Sequence, residues 1–281
     1  MVDEIASVFH EIPGAGRVRV LVAGEGSQPL LLVHGWPAGA RTFWPFLTAP
    51  PLRARFRMLA PDLFGFGRST FRGARLTFAD EVEVVLAVAR QVAGRPCLAV
   101  GASFGARVLL EAMARAPALF RRAVLVAPYL HRGLVGRSFA GRMLARFPRQ
   151  LRALCRPPLS VTTGLWAAGA SLRAGGGWAA WARQALPLAA DVARTRPETL
   201  DLLDALPDGR PLLRQLGLPV EVWYGGQDEL MDTAELSALA ALPGITVVCL
   251  EGAGHALHES HARELAAALL AAGDGPRAAQ A

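Results

Sequence analysis

The chain has 281 residues, of which 52% are hydrophobic, and its formal net charge is +7. Such a length and composition predict a globular protein with a large core, organised as one α/β domain with an insertion rather than as two separate domains. Every basic residue is an arginine, and no basic run is interleaved with aromatic residues. We attribute this excess of arginine to a bias in the coding sequence and not to a phosphate-binding surface. Nucleic-acid binding is therefore not expected.

Membrane insertion, secretion and metal binding are also disfavoured by the sequence. No apolar run reaches the roughly 20 residues needed to cross a bilayer. The N-terminal segment carries three early acids and lacks a basic start before an apolar core, so it is not typical of a secretory signal and predicts a cytoplasmic protein. The cysteines Cys97, Cys155 and Cys249 are odd in number and widely spaced, which favours core positions over disulfides or metal ligands. We expect no metal and no other cofactor.

The first elements in the chain predict strands that end in a tight turn. Apolar and polar residues alternate over residues 7–12 and again over residues 17–22, with a Pro-Gly-Ala-Gly segment between them. This pattern is typical of a hairpin. The apolar run 29–33 predicts a strand that is covered on both faces. It ends in His34-Gly35-Trp36-Pro37, where the glycine allows a sharp turn. The backbone N–H of Trp36 is the predicted donor into a cleft at this end of the sheet.

A helix over 40–47 and a strand over 56–60 are predicted next, followed by a glycine-containing turn. Asp62 and Ser69 are interpreted as residues that cap this turn by hydrogen bonding. Its Gly-x-Gly lacks the third glycine and the helix of a dinucleotide-binding loop, so no cofactor is predicted. Apolar spacing predicts a further helix over 78–92 that ends at Gly94.

The sequence around Ser103 predicts a strand that turns directly into a helix. An apolar run over 97–100 leads into Gly101-Ala102-Ser103-Phe104-Gly105, and a helical pattern over 106–114 follows without a linker. A chain that reverses so sharply needs small flanking residues and holds the central residue in a strained conformation. Ser103 is therefore predicted to stand above the carboxyl edge of a sheet as a nucleophile. The run 123–127 predicts the next buried strand.

Residues 129–216 interrupt this strand pattern and predict a helical cap. Prolines and a glycine triplet break the segment into short helices. Between 137 and 156, arginines surround apolar residues at helical spacing. We favour a cap whose apolar side faces the substrate, and association of this basic segment with an anionic membrane is the alternative. The core is expected to comprise residues 1–128 and 217–281.

The strand pattern resumes after the cap and brings two further polar residues to strand ends. A strand over 219–224 ends near Asp228, and a helix over 233–242 leads to a strand over 245–250 that ends near His255. A last helix is predicted from about His258 to Ala272. His255 stands in a glycine-flanked loop, unlike the alternatives His131, His258 and His261. Asp228 stands directly at its strand end, with Glu229 and Asp232 as nearby alternatives, and the stretch 112–190 contains no acidic residue.

The order of these parts resembles the α/β-hydrolase family from about residue 7 to residue 272. This resemblance implies a mostly parallel, twisted sheet flanked by helices, with a helical cap insertion. It also implies a catalytic triad of Ser103, Asp228 and His255. The oxyanion hole would consist of the backbone N–H groups of Trp36 and Phe104.

In this family the sharp turn that carries the nucleophile, here residues 101–105, is called the nucleophile elbow. A serine at the elbow indicates acyl transfer to water, because the haloalkane dehalogenases and epoxide hydrolases of similar layout use aspartate there. The expected substrate is an ester, lactone or thioester of a fairly apolar small molecule. Alternatives are a cofactor-free perhydrolase, a C–C bond hydrolase or lyase, or a non-catalytic binding protein on the same scaffold. The oligomeric state is not predicted. The residues expected to line the pocket are aromatic: Trp36, Phe104, Tyr129, Trp166, Trp178 and Trp181.

Overall fold

The computed structural model describes residues 5–135, 187–204 and 206–271. Within these ranges nine strands form one mixed sheet. The strands are β1 (Ala6–Ile12), β2 (Gly16–Ala23), β3 (Gln28–Val33), β4 (Phe56–Pro61), β5 (Thr70–Phe71), β6 (Cys97–Ala102), β7 (Phe120–Val126), β8 (Val220–Gly225) and β9 (Ile245–Leu250).

Helices connect the strands and cover both faces of the sheet. Short 3₁₀ turns lie at Ala40–Phe43, Pro117–Leu119, Arg132–Leu134 and Leu239–Ala241, Val88–Ala93 form a π-helical turn, and residues 187–193 are helical. The α-helices are α1 (Trp44–Leu47), α2 (Pro50–Arg55), α3 (Phe78–Ala87), α4 (Phe104–Arg115), α5 (Thr199–Asp204), α6 (Arg210–Gln215), α7 (Thr233–Ala238), α8 (Leu257–Ser260) and α9 (Ala262–Ala271).

The sheet order places the candidate site residues at one edge. The strands run in the order β1-β2-β4-β3-β6-β7-β8-β9, with β5 paired to β2. All pairs from β4 to β9 along this order are parallel, and the N-terminal pairs are antiparallel. Parallel strands present their carboxyl ends on the same side, which is where open α/β sheets bind ligands. The segments after β3, β6, β8 and β9 therefore share that side.

The central strands are apolar because both of their faces are covered. Leu30, Leu31, Leu32 and Val33 of β3 are fully buried. Leu31 and Val33 belong to one hydrophobic cluster with residues of α3 and α4, whereas Leu30 and Leu32 belong to a second cluster with residues of α1, α2 and α9. This alternation along one strand confirms the predicted sheet flanked by helices on both sides.

Most predicted elements are present, and the differences have local causes. The predicted helix over 40–47 is a 3₁₀ turn followed by α1, and α2 was not predicted although two prolines at its first turn allow a helix to start there. The predicted last helix is divided, because His261 has a non-helical backbone (φ −123°, ψ 35°) between α8 and α9. The helix predicted over 78–92 changes to the π-helical turn at Val88 and stops at Gly94, which is left-handed (φ 71°).

Several predictions concern parts of the chain outside the described residues. Trp166, Trp178, Trp181, Cys155 and the arginine-rich segment 137–156 are among them. The cap boundaries at 129 and 216 stay a prediction. Among the residues that are described, no helix is long and apolar enough to cross a membrane.

Candidate active site

Ser103 lies at a strained turn between β6 and α4. Its backbone has φ 50° and ψ −116°, which a non-glycine residue adopts only when its surroundings impose it. The N–H of Ser103 donates to the carbonyl of Val126 at 2.8 Å, and its carbonyl accepts from the N–H of Tyr129 at 3.1 Å. The end of β7 and the residues after it therefore hold the turn on both sides, and Ser103 stands at the carboxyl edge as predicted.

Glycines allow the chain segments around Ser103 to approach closely. A Cβ at Gly105 would overlap the carbonyl oxygens of Val33 and His34, so the N-terminus of α4 packs directly on the end of β3. A Cβ at Gly35 would lie 3.1 Å from the Cβ of Ser103. The turn after β3 and the turn after β6 are thus in contact. The predicted oxyanion donors, the N–H groups of Trp36 and Phe104, follow directly after the glycine of one turn and the serine of the other.

His34 fixes the turn that carries Trp36. The Nε2 atom of His34 accepts a hydrogen bond from the backbone N–H of Leu63 at 3.0 Å, and Nδ1 lies 2.8 Å from the carbonyl of Gly35. Because Nε2 is an acceptor, Nδ1 must carry the proton and donate to Gly35. Complete burial lowers the pKa of His34, which keeps the ring neutral and in this tautomer.

Asp228 and His255 form the second part of the site. The Nδ1 atom of His255 lies 2.9 Å from Oδ2 and 3.1 Å from Oδ1 of Asp228. The backbone N–H groups of Leu230 and Met231 donate to Asp228 Oδ1 at 2.8 and 2.9 Å. With Nδ1–H directed at the carboxylate, Nε2 is left as the basic nitrogen.

The two groups shift each other's pKa toward the charged pair. Burial lowers the pKa of His255, but the charge and hydrogen bond of Asp228 and the charge of Glu229 outweigh it, so the pKa is raised above the ordinary histidine value. Burial raises the pKa of Asp228, but His255 and the two backbone donors outweigh it and lower that pKa. The side chain of Asp228 is fully buried, whereas 15% of the His255 side chain is exposed. His255 is therefore the member of the pair that a substrate can reach.

The other histidines that the sequence offered have different surroundings. His131 pairs with Glu235 at 2.6 Å, and the Nδ1 atom of His261 lies 2.9 Å from the hydroxyl of Ser260. His258 is buried beside Phe43, and burial, together with the charges of His255 and His34, lowers its pKa to about 3. None of these three rings is hydrogen-bonded to Asp228 in the part of the chain that the structure describes.

The neighbouring acids are also separated by their contacts. Asp232 caps α7, where its Oδ1 accepts from the N–H groups of Ala234 and Glu235 at 3.1 and 3.3 Å. Glu229 reaches the histidine loop instead, and its Oε2 accepts the backbone N–H of His255 at 3.1 Å. The contact of Glu229 with His255 was not predicted, because no sequence pattern relates positions so far apart.

The two parts of the site are not joined by a direct hydrogen bond within the described residues, where His255 is hydrogen-bonded to Asp228 and Glu229. Both parts lie at the carboxyl edge of the sheet. The charges of His255, from one part, and of His34, from the other, both lower the pKa of His258.

Two of the predicted pocket residues are enclosed by the core. Tyr129 is buried, with its hydroxyl donating to the carbonyl of Leu203 at 3.3 Å. Phe104 is buried against Phe66 and Phe78. Only a small part of either side chain is therefore available to a bound molecule.

A segment of the predicted cap packs on the Trp36 turn. The indole N–H of Trp36 donates to the hydroxyl of Thr199 at 3.0 Å, and the hydroxyl of Thr195 donates to the carbonyl of Pro37 at 2.6 Å. Thr199 is completely buried, and its hydroxyl donates in turn to the carbonyl of Arg196 at 2.7 Å. No sequence pattern indicated these contacts.

A buried ion cluster also contacts this segment. Arg19 lies between Asp62 at 2.6 Å and Asp191 at 3.1 Å, and all three side chains are at most 2% exposed. Asp62 also accepts from the N–H groups of Ala40 and Arg68 at 2.8 and 2.7 Å. The hydroxyl of Ser69 donates to the carbonyl of Asp62 at 2.7 Å, so the turn-capping interpretation of both residues is confirmed. Asp62 has the additional role of pairing Arg19.

Potential metal ligands are scattered over the described part of the molecule. Across residues 5–135, 187–204 and 206–271, no group of three or more His, Cys, Asp or Glu side chains could hold a metal ion. Cys97 is buried and Cys249 is half-buried, and both are free thiols.

The fold, the strained serine and the acid–histidine pair agree with the family to which the chain can be assigned. Residues 30–268 match the Alpha/beta hydrolase family. The chain therefore belongs to the α/β-hydrolase family.

Individual relatives within this family are hydrolases. The chain is 28% identical over 254 residues to a 2-(acetamidomethylene)succinate hydrolase from Mesorhizobium japonicum, covering 87% of both chains. It is 30% identical over 263 residues to a pimeloyl-[acyl-carrier protein] methyl ester esterase from Edwardsiella ictaluri, covering 90% of this chain and 95% of the relative. A solved structure of a carboxylesterase from Bacillus subtilis has the same fold, with a TM-score of 0.70, 18% identity and coverage of 95% of this chain and 91% of the other.

Proposed function

We propose that the protein is a serine hydrolase that cleaves a carboxylic ester of a fairly apolar small molecule, with lactones and thioesters as related substrates. The observation that carries this proposal is the hydrogen-bonded Asp228–His255 pair on the same sheet edge as the strained Ser103. Membership of the α/β-hydrolase family and the esterases among its relatives support the same activity.

The proposed reaction transfers an acyl group through Ser103. Nε2 of His255 takes the hydroxyl proton as Ser103 Oγ bonds to the substrate carbonyl carbon. The tetrahedral intermediate collapses when the bond to the leaving alcohol breaks and the imidazolium gives that alcohol its proton. Water then attacks the acyl-Ser103 ester and gives its proton to His255, which returns it to Ser103. Asp228 stabilises the imidazolium and keeps Nδ1 protonated throughout.

The oxyanion that forms in each step would be stabilised by the N–H groups of Trp36 and Phe104. Each such donor contributes about 3 kcal/mol to lowering the barrier when it is fixed in advance. The close contact between Gly35 and Ser103, and the hydrogen bonds of His34 to its surroundings, support a rigid hole at this position. The fixed turn would cost no reorganisation during the reaction.

The substrate pocket is proposed to lie between the sheet edge and the cap. Trp36 and Tyr129 would line it on the core side, with Phe104 at its base and Trp166, Trp178 and Trp181 from the cap. We also propose that the cap extends from residue 129 to residue 216. A cytoplasmic location and a reaction without a cofactor are proposed as well.

A fluorophosphonate probe tests whether the site is catalytic. The probe forms a covalent bond with an activated serine, so we expect one label per chain on a peptide that contains Ser103. Ser103→Ala should abolish labelling, and Ser69→Ala is the control because the Ser69 hydroxyl is hydrogen-bonded to the backbone of Arg19 and Asp62. Labelling that persists in Ser103→Ala, or no labelling of the folded wild-type protein, would contradict the proposal.

The substrate class is tested with a panel of esters. A chain-length series of p-nitrophenyl esters should be hydrolysed, with a preference for one acyl length that reports the pocket. A methyl ester of a long acyl chain, offered free and on an acyl-carrier protein, tests the reaction named for the relative from Edwardsiella ictaluri. A perhydrolase would instead need hydrogen peroxide as the second substrate, and a C–C hydrolase or lyase would leave all esters intact.

A further inference from the structure

The loop that carries His255 is held by two acids rather than one. Asp228 contacts the imidazole, and the next residue, Glu229, contacts the backbone of the same histidine. The Glu229 Oε2 atom accepts the His255 N–H at 3.1 Å. Adjacent side chains of one loop therefore bind two different parts of His255.

The space at Gly254 shows how closely Glu229 lies on this loop. A Cβ at Gly254 would stand 2.9 Å from Oε2 of Glu229, so a side chain at 254 would compete with the carboxylate for its position. The two loops are also joined by backbone hydrogen bonds, from Gln227 to Ala253 at 2.9 Å and from Gly226 to Leu250 at 3.0 Å. Unlike these backbone hydrogen bonds, the Glu229 contact reaches the backbone of His255 itself.

Among the described residues, three titratable groups interact electrostatically with His255. Asp228 and Glu229, on the loop after β8, raise its pKa, and His258 lies on α8. His258 is buried and its pKa is lowered to about 3, so it is neutral in the pH range where a histidine acts as a base. Of these three groups, the two carboxylates carry the charge that favours the imidazolium.

We propose that Glu229 is a positioning residue for His255, which holds the histidine backbone by accepting its N–H and places a second negative charge beside the imidazolium formed during catalysis. This inference rests on the proposed role of His255 as the base. Asp228 sets the tautomer and orientation of the ring, whereas Glu229 sets the position of the chain from which the ring projects.

Two substitutions separate these contributions. Glu229→Gln keeps an oxygen that can accept the N–H but removes the charge, and Glu229→Ala removes both. Glu251→Gln is the matched control, since Glu251 is an exposed glutamate of the histidine loop whose carboxylate lies 3.7 Å from the sulfur of Cys249 and not at His255. Circular dichroism and thermal unfolding establish that each variant is folded.

The readouts are kcat, KM and the acid limb of the pH–rate profile with a p-nitrophenyl ester. Glu229→Ala should lower kcat about tenfold with little change in KM, because the loss falls on alignment and not on substrate binding. Glu229→Gln should keep most of kcat but move the midpoint of the acid limb down by about 0.3 pH unit, and this shift should shrink at about 1 M salt, where the charge is screened. Glu251→Gln should match the wild type in all respects.

The result that overturns the proposal is a Glu229→Ala enzyme with wild-type kcat, or a Glu229→Gln enzyme whose acid limb does not move at low salt. His255→Ala on the same substrate distinguishes this from failure of the proposed function. An active His255→Ala enzyme refutes the base assignment and with it the role of Glu229. An inactive His255→Ala enzyme beside an unimpaired Glu229→Ala enzyme refutes the role of Glu229 alone.

Discussion

The half of the site that carries Ser103 is held by backbone geometry, whereas the half that carries His255 is held by side-chain hydrogen bonds. Ser103 has a positive φ, and glycine at 105 lets α4 start against the end of β3. His255 instead depends on the carboxylates of Asp228 and Glu229. We therefore expect substitutions that disturb the backbone of the first half to lower the free energy of unfolding. Substitutions of the carboxylates in the second half should instead lower kcat.

Asp228→Asn should have the strongest effect on the second half. The amide keeps an acceptor for the N–H groups of Leu230 and Met231, so the fold should be retained. It loses the charge and favours the wrong histidine tautomer, which should lower kcat by a factor of about 10³ to 10⁴. Steady-state kinetics on a p-nitrophenyl ester measure this effect.

Asp232→Asn serves as the control for that variant. Asparagine caps helices about as well as aspartate, so α7 should remain intact and kcat should stay within about twofold of the wild type. If Asp232→Asn were as damaging as Asp228→Asn, the acid would be wrongly assigned.

Gly105→Ala should have the next strongest effect, and it should appear in stability. The added Cβ would overlap the backbone oxygens of Val33 and His34, neither of which can move without shifting β3. We expect the free energy of unfolding to fall by about 3 kcal/mol, measured by urea denaturation.

Gly94→Ala provides the comparison for Gly105→Ala. Gly94 has a φ of 71°, but no atom lies within 4 Å of the point where a Cβ would stand. Alanine there should cost only about 1 kcal/mol for its left-handed backbone. If both variants lost the same free energy of unfolding, the close packing of Gly105 against Val33 and His34 would not contribute to stability.

A smaller effect is expected from the contact between the predicted cap segment and the Trp36 turn. Thr199→Val keeps the shape of the side chain but removes the acceptor of the Trp36 indole N–H. A less well fixed turn should lower kcat/KM about tenfold, and Thr199→Ser should restore most of it. Wild-type kinetics for Thr199→Val would show that this hydrogen bond does not affect activity. That result would count against the Trp36 turn as part of a rigid oxyanion hole.

The smallest expected effect concerns the pH–rate profile of the wild-type protein. Its acid limb should lie at a higher pH than an ordinary histidine would give. His255 acts as a base only when neutral, and its raised pKa means that protonation begins at a higher pH than for an ordinary histidine. The rate should therefore fall with decreasing pH around a midpoint above about 6.5. Activity that stays constant down to pH 4 is incompatible with the role of His255.

The parts of the site that depend on local pattern were predictable from the sequence. The elbow at Ser103 was predictable because a buried strand, small residues and a helix follow one another directly. Asp228 and His255 were predictable because each follows a strand in a chain order that resembles one family. Alternating apolar runs likewise predicted most strands, with errors mainly where prolines start α2 or where His261 divides the last helix.

Contacts between distant segments could not be predicted in the same way. Three such contacts join positions that lie together only in the folded chain: the hydrogen bond of Glu229 to the His255 backbone, that of Trp36 to Thr199, and the Arg19–Asp191 ion pair. A glutamate in a loop or a threonine in a helix carries no pattern that marks such a partner. The predicted aromatic pocket stays a prediction, since three of its tryptophans lie outside the described residues.

Detection of an acyl group on Ser103 would test the proposed chemistry at its defining step. The protein is mixed with an excess of p-nitrophenyl ester, quenched in acid within milliseconds, and analysed by intact-protein and peptide mass spectrometry. We predict a mass increase of one acyl group on the peptide that contains Ser103, and no increase in Ser103→Ala. Turnover of the ester by Ser103→Ala at the wild-type rate, or an adduct of the same mass on Ser103→Ala together with unchanged turnover, would contradict the acyl-serine mechanism.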